Sequence, residues 1–235
     1  MRFDPPLLRA TLLRRYKRFL ADVVLDDGTE TTAHCPNPGA MMGLARPGAE
    51  VWVQPANNPK RKLAYTWRLE RLENGGWAGI DTNVPNAIVA EALQKGSIAG
   101  LEPHVSFRRE VPYGENSRVD FVLTHADESE TYLEVKNVHL IREGSLAEFP
   151  DCVTTRGAKH LKELAELARA GRRAAMLYVV QMTGATRVAL AADIDPAYAE
   201  SARLARSAGV EMLACSTDIG EKQIDLASPL PVNEP

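Results

Sequence analysis

The residues of this chain best suited to chemistry are Asp120, Glu134 and Lys136. They lie in two short apolar segments, Arg118-Val119-Asp120-Phe121-Val122-Leu123 and Tyr132-Leu133-Glu134-Val135-Lys136, separated by a polar gap. Each segment reads as a strand, so Glu134 and Lys136 share one face and Val135 takes the other. If the turn between them centres on Asp127, antiparallel pairing sets Asp120 opposite Glu134. Two carboxylates and an ammonium beside apolar neighbours are costly unless they pair or bind an ion. Two carboxylates suit a hard divalent cation such as Mg2+ or Mn2+, which keeps several waters and accepts phosphate oxygens as further ligands. A lysine there can steady an attacking water or the phosphate charge. That chemistry is metal-dependent phosphodiester cleavage. The plainer alternative is a solvated Glu-x-Lys ion pair of little energetic weight.

The surrounding elements must position these groups. Residues 87–95 read as a helix capped by Asn86 and ended by Gly96, with the Asn83-Val84-Pro85 stretch before it as a domain boundary. Glu91 sits in that helix among Ile88, Val89 and Leu93. It either faces solvent or supplies a third acidic group to the metal. Thr154-Thr155 starts a helix expected to reach residue 170 and to stop at Gly171, with Leu161, Leu164, Ala165 and Ala168 as its buried stripe. Arg156, Lys159, His160 and Glu163 lie on an adjoining stripe. The first three can donate to a phosphate, or simply form a solvated face. Residues 176–182 and 187–191 read as strands, 195–208 as a last helix opened by Asp195-Pro196, and 210–215 as the final strand. Alternating strands and helices give a mixed α/β sheet.

The first third differs in pattern. Residues 19–25, 29–34, 50–54 and 63–72 read as short strands broken by Asp26-Asp27-Gly28, a Pro/Gly loop over 36–42 with one helical turn as an option, Pro47-Gly48 and Asn57-Asn58-Pro59. Several short strands in about eighty residues suit a small barrel. The net charge of −3 divides unevenly: residues 1–82 carry +3 and residues 83–235 carry −6. Arg9, Arg14, Arg15, Lys17 and Arg18 fall in a stretch without acids, and Pro59-Lys60-Arg61-Lys62 adds a second basic cluster. Local clusters matter more for phosphate binding than global charge. Tyr16, Trp52, Tyr65 and Trp67 are candidate base-stacking residues, with core packing as the alternative duty.

Several blocks, in order, resemble one family. His34-Cys35-Pro36-Asn37-Pro38-Gly39, Arg61-Lys62-Leu63, Arg118-Val119-Asp120, Glu134-Val135-Lys136-Asn137-Val138, Phe149-Pro150-Asp151 and Thr155-Arg156-Gly157-Ala158-Lys159-His160-Leu161 resemble the sugar fermentation stimulation protein A family across nearly the whole chain. The resemblance implies an N-terminal OB-fold domain followed by a PD-(D/E)xK nuclease-like domain, with Val119 standing where that motif has proline. The family name records a phenotype and establishes no reaction.

The expectation is therefore an α+β, two-domain chain. Residues 1–82 form an OB-like, nucleic-acid-binding barrel, and residues 83–235 form a mixed α/β, restriction-endonuclease-like domain. Asp120 and Glu134, with Glu91, are the expected ligands for Mg2+ or Mn2+. Lys136, Arg156, Lys159 and His160 are the expected catalytic groups. Arg14, Arg15, Lys17, Arg18, Lys60, Arg61 and Lys62 are the expected nucleic-acid contacts, for DNA that is single- or double-stranded. A DNA-binding regulatory protein that does not cleave is the competing reading. An enzyme of sugar metabolism rests on the family name alone, since no Walker loop, Ser-His-Asp order or dinucleotide glycine motif supports it. No run approaches the roughly 20 apolar residues of a membrane span. Three widely spaced cysteines, with no CxxC, fit a reducing cytoplasm and no structural zinc. A homodimer is left open.

Overall fold

The structure is a computed structural model and describes residues 1–58, 60–101, 103–114 and 117–233. Its first sheet is built from β1 (Leu8–Tyr16), β2 (Leu20–Leu25), β3 (Glu30–His34), β4 (Glu50–Pro55), β5 (Tyr65–Arg71) and β6 (Trp77–Gly79). The order is β3-β2-β1-β4-β5-β6, and a parallel pairing of Ala33 with Tyr65 and His34 with Thr66 joins β3 to β5. The first five strands thus close into an OB-like barrel. Alternation explains the closure. Ala10 and Leu12 on β1, Ala21, Val23 and Leu25 on β2, and Val51 and Val53 on β4 point inward around the buried Trp67. Each large side chain so buried contributes roughly 1.5–3 kcal/mol. Strand β1 was not expected, because its interleaved arginines read as a charge cluster. Arg9 and Arg14 are outward residues of this strand, whose register shifts between Leu12 and Arg14.

The second sheet is six-stranded, in the order β15-β14-β12-β9-β8-β7. It comprises β7 (Ser106–Tyr113), β8 (Ser117–Thr124), β9 (Glu130–Val138), β12 (Arg173–Val180), β14 (Glu211–Ile219) and β15 (Ile224–Pro229). Strand β12 runs parallel to both β9 and β14, and the outer pairings are antiparallel. A small sheet of β10 (Leu140–Glu143), β11 (Leu146–Phe149) and β13 (Arg187–Leu190) lies beside it. Helix α1 (Val84–Gln94) covers one face with Ile88, Val89 and Leu93 against Phe121, Leu133, Val135 and Leu177. Helices α2 (Thr155–Arg169) and α3 (Pro196–Ser207) cover the other, with Leu161, Leu164 and Tyr198 against Val122, Met176 and Tyr178. Because Leu133 and Val135 point to α1, Glu134 and Lys136 must point to α2.

Three expectations need correction. Helix α1 begins at Val84, with Pro85 in its first turn, where a missing N–H costs nothing. Asn86 therefore lies inside the helix and is not its cap. Strand β14 is not the last, since β15 pairs back onto it. The Pro/Gly loop over 36–42 forms no helical turn. The other two caps hold: Thr154 Oγ1 accepts from Gly157 N at 3.1 Å, and Asp195 Oδ1 from Tyr198 N at 2.9 Å. No described helix is long and apolar enough to cross a membrane.

Candidate functional site

The β8–β9 hairpin brings the expected pair together. Phe121 pairs with Leu133 and Thr124 with Glu130, a register centred on Asp127. One step further, where Asp120 faces Glu134, side chains replace the ladder. Asp120 Oδ2 accepts from Val135 N at 2.7 Å, and its Oδ1 accepts from Asn86 Nδ2 at 2.7 Å. Despite these bonds, burial and then the charge of Glu134 push the Asp120 carboxyl up to about 6.

Glu134 is only 2% exposed. Its Oε1 accepts from Lys136 Nζ at 2.6 Å and takes a very close hydrogen bond from His160 Nδ1. Burial raises this carboxyl, but Lys136 and His160 together outweigh it and hold it below its ordinary value. Arg156 Nε donates to His160 Nε2 at 3.3 Å, which leaves the imidazole proton on Nδ1 for Glu134. His160 thus orients both Glu134 and Arg156. Lys159 stands half-exposed beside Glu163 Oε1 at 3.6 Å.

Buried Glu163 and Tyr113, neither of them expected at the site, lie behind this row. Glu163 Oε1 accepts from Ser117 Oγ at 2.8 Å. Burial, then Glu134, Glu163 and Asp120, push the Tyr113 phenol far upward, so it stays protonated. Among the described residues Glu134 Oε2, Glu163 Oε2 and the Tyr113 hydroxyl are buried without a hydrogen-bond partner. Unmet oxygens of this kind cost about 1–3 kcal/mol each.

The residues fit a hard divalent cation. Glu134 offers an orphaned oxygen, Asp120 is a poorly solvated carboxylate opposite it, and the donors are oxygens. No three described His, Cys, Asp or Glu side chains form a metal cage. Glu91 does not join the pair. Its carboxylate meets the Met1 ammonium at 2.8 Å and is 43% exposed. Five residues along a helix turn about 140° from Asn86, so only one of the two can face Asp120. The residue that does is Asn86.

The basic clusters divide. Arg14 is tied to Asp22 at 2.8 Å and lies over the Tyr16 ring. Arg15 donates to the carbonyls of Asn37 and Gly39, both at 2.9 Å, and to Arg18 O at 3.2 Å. Its guanidinium is a staple for two loops. Lys17 and Arg18 form the tip of the β1–β2 hairpin with φ of 48° and 63°. Lys60 and Lys62 are exposed, and Arg61 Nη1 donates to Thr66 Oγ1 at 3.2 Å. Pro59 of that cluster lies outside the described residues. Trp52 and Trp67 are buried core, Tyr16 and Tyr65 half-buried.

A polar chain joins the barrel to β9, the strand that carries Glu134 and Lys136. Met41 N donates to Asp151 Oδ2 at 2.8 Å, and His139 Nε2 donates to the same oxygen at 3.1 Å. Asn137 Nδ2 bonds His139 Nδ1 at 2.8 Å, and Gln181 Nε2 donates to Asn137 Oδ1 at 2.7 Å. Burial alone would raise Asp151, but His139 and Met41 N hold it down at about 2. Gly39 is required here, since a Cβ would stand 2.6 Å from Asp151 Oδ2. Residues 37, 39 and 151 stand in the blocks that carry the family resemblance, but their roles are not legible there because the partners come from distant segments.

Comparison with known proteins agrees with this architecture. Residues 13–80 match the SfsA N-terminal OB domain, and residues 83–223 match the sugar fermentation stimulation protein RE domain. A sugar fermentation stimulation protein homolog from Jannaschia sp. (strain CCS1) is 58% identical over 234 residues, covering 99% of this chain and 97% of that protein. Its counterpart from Dinoroseobacter shibae is 55% identical, covering 99% and 96%. A solved structure of Pyrococcus furiosus SfsA in complex with Ca2+ superposes with a TM-score of 0.87 at 28% identity, covering 99% of this chain and 98% of that one. The chain belongs to the sugar fermentation stimulation protein family, with an N-terminal OB domain and a C-terminal RE domain.

Proposed function

We propose that this protein is a DNA-binding, divalent-metal-dependent phosphodiesterase whose active site is the Asp120–Glu134–Lys136 cluster. The observation that carries this reading is the meeting of buried Glu134, which has an orphaned oxygen, with the half-buried carboxylate of Asp120, beside a lysine on the same strand face as Glu134. A relative solved with Ca2+ supports a divalent cation in this fold. Mg2+ or Mn2+ is the ion proposed for catalysis.

Asp120 and Glu134 would hold the ion, and when bound it would supply Lewis-acid polarisation of a phosphate oxygen and of a water. Lys136 is 14% exposed and anchored on Glu134, and its ammonium would meet the attacking water or the phosphate beside that carboxylate. Arg156 and Lys159 lie at the exposed start of α2, where they can meet phosphate charge. His160 is buried with both nitrogens engaged, so it acts as a positioning residue for Glu134 and Arg156. The barrel would hold the nucleic acid.

The test is cleavage of labelled single- and double-stranded DNA in Mg2+ or Mn2+. The parent is expected to cut and to stop on chelation. Lys136→Ala should lose at least about 100-fold in rate while keeping metal affinity by calorimetry, because its contribution is greater in the transition state. Full-rate cleavage by Lys136→Ala would remove that residue from the mechanism. DNA binding by the parent without cleavage of any substrate would establish the non-cleaving reading instead.

A further inference from the structure

The tryptophans and tyrosines that sequence offers as stacking residues are buried or half-buried, yet the barrel does present an aromatic face. Phe19 is 46% exposed, a large apolar ring at the end of the β1–β2 hairpin. The His34 ring lies near-parallel to it, with centroids 6.5 Å apart and planes 18° from each other. Burial, then Arg61 and Arg68, hold His34 below its ordinary value, so it is a neutral ring at pH 7.

Cations surround this pair. Arg61 is fixed by Thr66, the residue paired with His34 across the β3–β5 closure. Arg68 is neutralised by Asp81, but no ion pair among the described residues engages Lys17, Arg18, Lys60, Arg61 or Lys62. Lys17 and Arg18 both occupy the left-handed region, which disfavours side chains and suits glycine or asparagine. Such strain is tolerated where the surroundings enforce it, and the Arg15 staple on Arg18 O does so here. The result is a hairpin tip that carries two cations and an exposed ring. Arg18 also lies close enough to Cys152 for its charge to bear on that thiol, and Cys152 stands two residues before the cap of α2. The tip therefore lies on the side of the barrel that faces the segment leading into α2.

Resting on the proposed phosphodiesterase site, we infer that Phe19 and His34 form a stacking platform for an unpaired base, flanked by Arg18 and Arg61 for phosphates, so that the substrate is single-stranded nucleic acid led across the barrel into the site. A duplex cannot use such a platform, because its bases are already stacked and paired. A single strand offers every base face to an aromatic ring, with little regard to sequence. The positive surround matches the phosphates on either side.

The experiment is titration of a fluorescent oligo(dT) strand, and of a duplex of equal length, with the full chain in chelator to prevent cutting. The parent should favour the single strand. Phe19→Ala should weaken single-strand binding by about 5- to 100-fold and leave duplex binding within about two-fold, as expected for loss of one stacked base. Phe19→Trp should retain affinity, whereas Phe19→Leu should lose it, which separates the ring from its bulk. Arg18→Ala and Arg61→Ala should each lower the slope of log affinity against log salt by about 0.7. Unchanged single-strand affinity in both Phe19→Ala and Phe19→Leu, or equal losses for strand and duplex, would overturn the platform. A parent that binds duplex but no single strand would also overturn it while leaving the phosphodiesterase reading intact. A parent that binds neither would sink both.

Discussion

Asp120 holds two opposed influences. Its oxygens accept hydrogen bonds from Val135 N and Asn86, yet it lies half-buried opposite Glu134 and its carboxyl is pushed up to about 6. A carboxyl whose folded value exceeds its unfolded value binds protons more readily when folded. Without metal, the stability contributed by Asp120 should therefore be full near pH 4 and be lost as pH rises through 6, by up to about 3 kcal/mol. Asp120→Asn removes that loss, since Asn86 can reverse its amide to keep the bond. In chelator at pH 8 the variant should unfold at higher urea than the parent, with the two converging near pH 4. Saturating Mn2+ should stabilise the parent by about 2–3 kcal/mol and the variant little. Equal midpoints at pH 8 in chelator would show that the carboxylate pair carries no repulsion. Asp120, Glu134 and Lys136 are legible in the sequence because alternation and symmetry about Asp127 need only local register. Asn86, Tyr113 and Glu163 are not, because helix-to-sheet packing decides which residues of α1, α2 and β7 reach the pair. Phe19 escaped notice for the opposite reason: an apolar residue at a strand start reads as core until burial is known.

Among the elements, the loop over 36–42 does more than connect β3 to β4. Its Asn37 Nδ2 donates to Ile80 O at 3.1 Å, and its Met41 N donates to Asp151, which links through His139 to Asn137 beside Lys136. Asp151 is depressed to about 2, so it contributes stability fully above about pH 4 and loses it as pH falls toward 2. Asp151→Ala would leave Met41 N and His139 without their acceptor and should cost about 2–4 kcal/mol at pH 7. The gap between parent and variant in urea unfolding should narrow as pH falls from 4 to 2. A pH-independent gap would mean that the carboxylate charge does nothing at this junction. The helices over 155–170 and 195–208 are legible from their caps, the first also from its buried stripe. The short strands β10 and β11 were not, since four-residue strands carry too little pattern to distinguish them from loops.

On the scale of the whole molecule, two regions of opposite net charge share one chain and a continuous core. The barrel side carries the net positive charge and the second sheet the net negative charge. A carboxylate-rich site repels DNA unless a cation offsets it and basic groups elsewhere hold the strand. In the proposed function, divalent ion and barrel would thus be two halves of one requirement. The overall architecture was readable because short interrupted strands, then alternating helices and strands, leave few alternatives. The closing β3–β5 contact and the polar junction depend on residues far apart in the chain and show only in three dimensions. The central claim is that Asp120 and Glu134 share a divalent ion, and the most direct measurement is the anomalous density of a crystal soaked in Mn2+. A peak bridging the two carboxylates, with oxygen ligands at roughly 2.0–2.2 Å, is the expected result. No peak between them at saturating Mn2+, or a peak elsewhere in the chain alone, would contradict the account.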